Sequence, residues 1–176
     1  MIAATGGRRM GRSAICRYIV AGALAGAAGT TALYVVTYLD QAVRGRPSSG
    51  LPAQTAGKLA GMAGLDVGEG EQAESRKEGI GALLGLATGV GLGAAYGVLR
   101  VPVREVSVPV AGVSVALAAT VVANAPMTAL GLTDPRTWGT AGWLSDLIPH
   151  LIYGLVTVYA FEMMAGPGEP RKSGTA

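Results

Sequence analysis

One apolar segment of the chain carries a glycine at every fourth position. The segment runs without a charged residue from Gly79 to Leu99 and reads GIGALLGLATGVGLGAAYGVL. The glycines at this spacing are Gly81, Gly85, Gly89, Gly93 and Gly97. In water, each interior glycine would cost a helix about 1 kcal/mol relative to alanine. In a bilayer the backbone stays helical because no water competes for its hydrogen bonds, and small residues let a second helix approach closely. The pattern therefore predicts a membrane-spanning helix that packs against other helices.

The composition of the whole chain fits a lipid environment. Of 176 residues, 50% are hydrophobic and only 14% are charged, whereas a soluble domain has about 25% charged residues. The net charge of +3 would favour nucleic-acid binding in a soluble protein. Here the basic residues stand at the ends of apolar segments, so membrane topology explains them and we expect no nucleic-acid partner. Arginine outnumbers lysine, and alanine and glycine are abundant, which indicates a GC-rich bacterial source.

Four apolar segments are long enough to cross a hydrocarbon core of about 30 Å, which needs roughly 20 helical residues. The predicted spans are 18–39, 79–99, 108–128 and 143–164. The first is longer than the apolar region of a cleaved signal peptide, so we interpret it as a retained span. The remaining segments are a basic N-terminus (1–17), a long polar loop (40–78), a short basic turn (100–107), a second turn (129–142) and a tail (165–176). The sequence thus predicts an all-α bundle of four transmembrane helices.

The distribution of basic residues predicts the orientation of the bundle. Eight lie next to the spans on the side of the two termini: Arg8, Arg9, Arg12, Arg17, Arg100, Arg104, Arg171 and Lys172. Six lie on the other side, where five acidic residues of the long loop accompany them. Since positive charge near short connections is retained in the cytoplasm, we expect both termini to be cytoplasmic and the protein to lie in a bacterial inner membrane.

The long polar loop contains a possible short helix at 52–65. Leu51, Thr55, Leu59 and Met62 fall near one face, and Pro52 suits a first helical turn. Two interpretations remain open, an interfacial helix lying on the outer leaflet and an element that docks a partner. The stretch 68–78 is interpreted as a solvated acidic linker, the last turn of which can extend the second span.

The glycine row predicts a slanted groove on the second span. Positions four apart advance 400° around a helix, so the row drifts by about 40° per step and is about 24 Å long. A helix following it would cross at about −40°. Gly22 and Gly26 form a shorter row on the first span, which makes the first and second spans natural partners. The row can serve packing within one bundle or, alternatively, a homo-oligomeric interface or pore lining.

The fourth predicted span holds an unusual pair of ionisable residues. Asp146 and His150 are four apart and therefore share a helix face, which Tyr153 continues. Ionisable groups inside a membrane are costly and call for a functional hypothesis. Three hypotheses remain open: a hydrogen-bonded pair that fixes the helix against Asn124 or Tyr34, proton or ion handling, and metal binding.

Metal binding is the poorest fit of the three, because one histidine and one aspartate are too few ligands without Asp40 or Asp134. We therefore predict no metal and no cofactor. Under the predicted topology Asp40, Asp134, Asp146 and His150 all lie toward the outer face, where one polar cluster is possible. Asp134 is also expected to cap a short interfacial helix that starts at Pro135.

The segment 125–153 resembles the C-terminal part of the YagU-like family of bacterial inner-membrane proteins. It reads APMTALGLTDPRTWGTAGWLSDLIPHLIY. The matching residues are Pro126, Gly131, Leu132, Thr133, Pro135, Trp143, Asp146, His150 and Leu151. The resemblance implies a multi-span inner-membrane protein of unknown molecular function, and it supplies no reaction.

No sequence pattern indicates an enzyme. Ser145 lies near His150, but no Gly-x-Ser-x-Gly elbow surrounds it. We therefore expect a non-enzymatic structural or accessory membrane protein whose partners are the lipid bilayer and possible further copies of itself. The alternative is a small proton- or ion-conducting protein that uses Asp146 and His150.

Overall fold

The computed structural model describes residues 12–100 and 106–165, and this part of the chain is helical. Its helices, in chain order, are α1 (Arg12–Arg44), α2 (Leu51–Met62), α3 (Gly70–Arg100), α4 (Val108–Ala129), a 3-10 turn (Pro135–Thr137) and α5 (Thr140–Ala165). Four of them, α1, α3, α4 and α5, are long and apolar enough to cross a membrane. The predicted all-α architecture with four membrane-spanning helices is therefore confirmed.

The four long helices differ in length. At 1.5 Å per residue, the 22 residues of α4 extend over about 33 Å, close to the hydrocarbon core of about 30 Å. The 33 residues of α1 and the 31 of α3 extend over about 50 Å and 46 Å. Because the shorter helix already suffices, α1 and α3 are long enough to continue well beyond the hydrocarbon core.

Glycines set the contact between α1 and α3, which run antiparallel. A Cβ atom on Gly93 would lie 2.5 Å from the Cα of Gly26, and one on Gly97 would lie 3.2 Å from the Cα of Gly22. Further along, Gly89 faces the Thr30 side chain and Gly85 lies near the Tyr34 hydroxyl. Each step of four residues along α3 is thus matched by a step of four residues back along α1. The two backbones approach more closely than any larger residue would permit.

Helix α5 packs against α1 on one side and α4 on the other. Its inward side chains form much of the core, and Tyr153, Val158 and Phe161 are at most 2% exposed. Gly154 lies against the backbone of Gly112 in α4. By contrast, α3 and α4 contact each other much less than the other neighbouring pairs. The spatial order is therefore α3, α1, α5, α4, with an open side between the first and the last.

The stretch 68–78, predicted as a solvated acidic linker, is mostly helical in the structure, because α3 already begins at Gly70. Its N-terminal residues favour helix, Lys77 pairs with Glu74 at 2.8 Å, and Ala73 is buried. Helix α2 packs along this extension with Thr55, Ala56 and Ala60 buried. A Cβ atom on Gly81 would meet the backbone of Pro52 at 2.7 Å. The first glycine of the row therefore receives α2 rather than a membrane span.

Candidate functional site

The polar side chains of α4 and α5 meet near the end of the bundle where α4 ends and α5 begins. Asn124 donates a hydrogen bond from Nδ2 to Oδ2 of Asp146 over 3.0 Å. The Asp146 side chain is only 19% exposed, so an isolated carboxylate there would be costly. The sequence predicts Asn124 or Tyr34 as a partner for this helix, and the structure places the Asn124 side chain beside Asp146.

His150 lies one turn further along α5. Its Nδ1 is 2.7 Å from the main-chain oxygen of Asp146 and 3.6 Å from the Oδ1 atom of the same residue. Since a carbonyl oxygen only accepts, Nδ1 is the donor in the shorter contact. The imidazole is therefore held against its own helix, with the Asp146 carboxylate beside it. Asn124, Asp146 and His150 form one polar cluster, called here the α4–α5 cluster.

Tyr153 shares the helix face of His150 but its hydroxyl serves a different contact. It donates a hydrogen bond of 2.6 Å to the main-chain oxygen of Gly89, and the whole residue is 2% exposed. The ring also packs against α1, where a Cβ atom on Gly29 would lie 3.0 Å from its Cδ2. Tyr153 therefore connects α5 to α3 and α1 instead of joining the α4–α5 cluster.

Two other predicted members of a single polar cluster have local partners. Asp40 pairs with Arg46 at 2.5 Å and with Arg44 at 3.5 Å. Asp134 caps the 3-10 turn as expected, because its side chain accepts from the main-chain nitrogen of Arg136 at 3.0 Å. The structure thus pairs Asp40 and Asp134 with residues nearby in sequence and gives no hydrogen bond or ion pair between either of them and the α4–α5 cluster in its described part.

A second polar contact, which the sequence patterns did not predict, lies at the opposite end of the bundle. Arg100 at the end of α3 donates from Nε to Oε1 of Glu162 in α5 over 2.6 Å, with side chains 11% and 30% exposed. From the sequence, Arg100 is predicted only as one of the basic residues that determine topology. The signal that would have found the pair is two opposite charges, Arg100 and Glu162, at the same end of the second and fourth predicted spans.

In the described residues 12–100 and 106–165, no group of three or more histidine, cysteine, aspartate or glutamate side chains is placed to hold a metal ion. Comparison with known proteins adds no functional assignment, because no family model, curated protein or solved structure matches the chain. The resemblance to the YagU-like family receives no support from these comparisons.

Proposed function

We propose that this chain is a multi-pass protein of a bacterial inner membrane with a structural or accessory role and no enzymatic activity. The observation that carries the proposal is the hydrogen bond between Asn124 and Asp146. The ionisable residue that most invites a functional hypothesis is thereby held by a neighbouring helix, and the adjacent His150 ring is held by the main chain of its own helix. This is the pattern of polar side chains that join transmembrane helices.

Polar contacts between helices occur at both ends and in the middle of the bundle. One connects α4 with α5 through Asn124 and Asp146, a second connects α5 with α3 through Tyr153 and Gly89, and a third connects α3 with α5 through Arg100 and Glu162. The second and third contacts join residues more than 60 positions apart, and together the three contacts favour one arrangement of the long helices.

A homo-oligomer remains compatible with this proposal but needs a surface other than the buried glycines. Gly89, Gly93 and Gly97 already receive α1, and Gly81 receives α2 of the same chain. Larger side chains at these positions are therefore expected to disturb the fold of one chain before they disturb any assembly.

A double-mutant cycle tests the proposed tie between α4 and α5. We expect Asn124→Leu and Asp146→Leu to show a coupling energy of about 0.6 kcal/mol, and at most about 1.7 kcal/mol, in the free energy of unfolding measured in mixed micelles. The control pairs Asn124→Leu with Glu162→Gln, which lies at the other end of the bundle. That pair is expected to be additive within about 0.5 kcal/mol.

Two outcomes would contradict the structural role. The first is a coupling energy of zero between Asn124 and Asp146. The second is a pH-driven proton flux in proteoliposomes that exceeds the flux of empty liposomes and is abolished by His150→Ala. That second result would instead establish the α4–α5 cluster as a proton-handling site.

A further inference from the structure

A polar cavity lies in the turn that joins α4 to α5. Its volume is about 710 Å³, within the range of about 300–1,000 Å³ that is typical of small-molecule pockets. All of its lining residues lie between Thr128 and Arg136. Two of them, Asp134 and Arg136, carry opposite charges, so the cavity presents both an anionic and a cationic group to a ligand.

The cavity lies at the level of the phospholipid headgroups. The 22 residues of α4 extend over about 33 Å, slightly more than the hydrocarbon core of about 30 Å, so the chain leaves the core where the cavity begins. Trp138 and Trp143 follow, with ring centroids 5.2 Å apart. Trp138 donates from Nε1 to Oγ1 of Thr133 in the cavity wall over 2.8 Å. Because tryptophan is enriched at membrane–water interfaces, the ring pair and the cavity beside it belong to the headgroup layer.

The two charged side chains of the cavity are exposed and are not paired with each other. Asp134 accepts a hydrogen bond through Oδ1 from the main-chain nitrogen of Arg136 over 3.0 Å. In the part of the chain that the structure describes, the Arg136 guanidinium has neither a hydrogen bond nor an ion pair. One carboxylate and one guanidinium in the same cavity are therefore both available to a ligand.

A second cation reaches the rim of the cavity from α2. Lys58 donates from Nζ to the main-chain oxygen of Leu130 over 2.6 Å, and Leu130 directly precedes the lining residue Gly131. An ammonium group has three donors, so this contact leaves others available. The rim and the lining together carry two positive groups and one negative group, which favours a ligand that contains a phosphate.

We propose that the cavity binds the headgroup of a phosphatidylethanolamine molecule in the adjacent leaflet. This headgroup carries a negative phosphate and a positive ammonium group. The phosphate pairs with Arg136, because a guanidinium matches the geometry of phosphate oxygens, and the ammonium pairs with Asp134. A headgroup with phosphate but no ammonium leaves Asp134 without its partner and binds less tightly. The inference depends on membrane insertion but not on the structural role proposed above, which the Asn124–Asp146 cycle tests separately.

Native mass spectrometry of protein released from nanodiscs tests this proposal. The nanodiscs contain equal amounts of phosphatidylethanolamine and phosphatidylglycerol, and the measured quantity is the number of each lipid retained per chain. We expect the unaltered protein to retain one phosphatidylethanolamine in preference to phosphatidylglycerol. Arg136→Gln is expected to lower this retention about fivefold, the effect of losing one interaction between exposed charges.

The matched control is Arg44→Gln. Arg44 is an exposed cation at the same end of the bundle but outside the cavity lining. Its partner Asp40 keeps the contact with Arg46 in this variant. We therefore expect Arg44→Gln to retain phosphatidylethanolamine as the unaltered protein does.

A second variant separates headgroup recognition from loss of structure. Asparagine caps a helical turn about as well as aspartate, so Asp134→Asn preserves the hydrogen bond to the Arg136 nitrogen and removes only the charge. We expect an unchanged unfolding midpoint and equal retention of the two lipids.

Three outcomes would overturn the proposal. One is equal retention of phosphatidylethanolamine by Arg136→Gln and Arg44→Gln. Another is a preference for phosphatidylethanolamine that is absent from the unaltered protein or persists in Asp134→Asn. The third is binding of soluble glycerophosphoethanolamine to lipid-free protein as tightly as the lipid itself, because the cavity would then be a site for a free phosphodiester.

Discussion

At Gly93 the backbones of α1 and α3 leave no room for a side chain. A Cβ atom there would overlap the carbonyl oxygen of Gly22 and would lie 2.5 Å from the Cα of Gly26. Both neighbours are backbone atoms, so the helices themselves would have to separate. We expect Gly93→Ala to lower the free energy of unfolding by about 1–3 kcal/mol, measured by thermal or denaturant unfolding in mixed micelles.

The same helix offers a matched control for this substitution. Gly91 is exposed, and a Cβ atom there would meet nothing within 4 Å. Gly91→Ala is therefore expected to leave the free energy of unfolding unchanged or to raise it by up to about 1 kcal/mol. Equal losses of stability in the two variants would show that the effect does not depend on the close approach of α3 to α1.

Residues of the candidate site were predictable to different degrees. Asn124 and Asp146 are polar residues that antiparallel apolar spans place at similar depths, so the sequence could offer Asn124 as a partner, with Tyr34 as the alternative. The partner of Tyr153 was not predictable, because a main-chain carbonyl such as that of Gly89 is not marked by any side chain. Asp40 was assigned to the outer face without its local arginine partners, whose contact depends on the course of the chain after α1.

At the scale of the element, α2 packs closely on α3 at Gly81, because glycine has no side chain there. Gly81 faces the backbone of Pro52, whereas a Cβ atom on Gly79 would meet nothing within 4 Å. We expect Gly81→Val to displace α2 from α3. Amide hydrogen exchange in Leu51–Met62 should then increase at least about tenfold, because α2 can unfold locally without first losing its contact with α3. Gly79→Val should leave this exchange unchanged. Protection of α2 that survives in Gly81→Val would contradict the docking described here.

The existence of the long helices was easier to predict than their ends. Hydrophobic length identified four spans, since a bilayer imposes a minimum number of apolar residues. It gave no information about α3 before Gly79, where helix continues through Glu74 and Lys77 back to Gly70. That extension is stabilised by α2, a tertiary contact that hydropathy does not report.

At the scale of the whole molecule, the open side between α3 and α4 is a consequence of how the helices are ordered in space. Four antiparallel spans admit several arrangements, and the sequence indicated only that the first and second are partners. Packing of α5 between α1 and α4 separates α3 from α4, although the two are consecutive in the chain. Small residues on both helices, including Ala95 of α3 and Ala118 of α4, then leave an apolar groove between them.

The orientation of the bundle is testable with one cysteine at each end. In a Cys16→Ser background, Ser49→Cys lies between α1 and α2, and Ser107→Cys lies just before α4; both serines are exposed. Because more basic residues flank the spans on the side of Ser107, the positive-inside rule places that side in the cytoplasm. We expect a membrane-impermeant maleimide to label Ser49→Cys in intact cells and Ser107→Cys only after permeabilisation. The reverse pattern would place both termini outside. Labelling of both positions in intact cells would contradict the presence of one membrane span, α3, between the two sites.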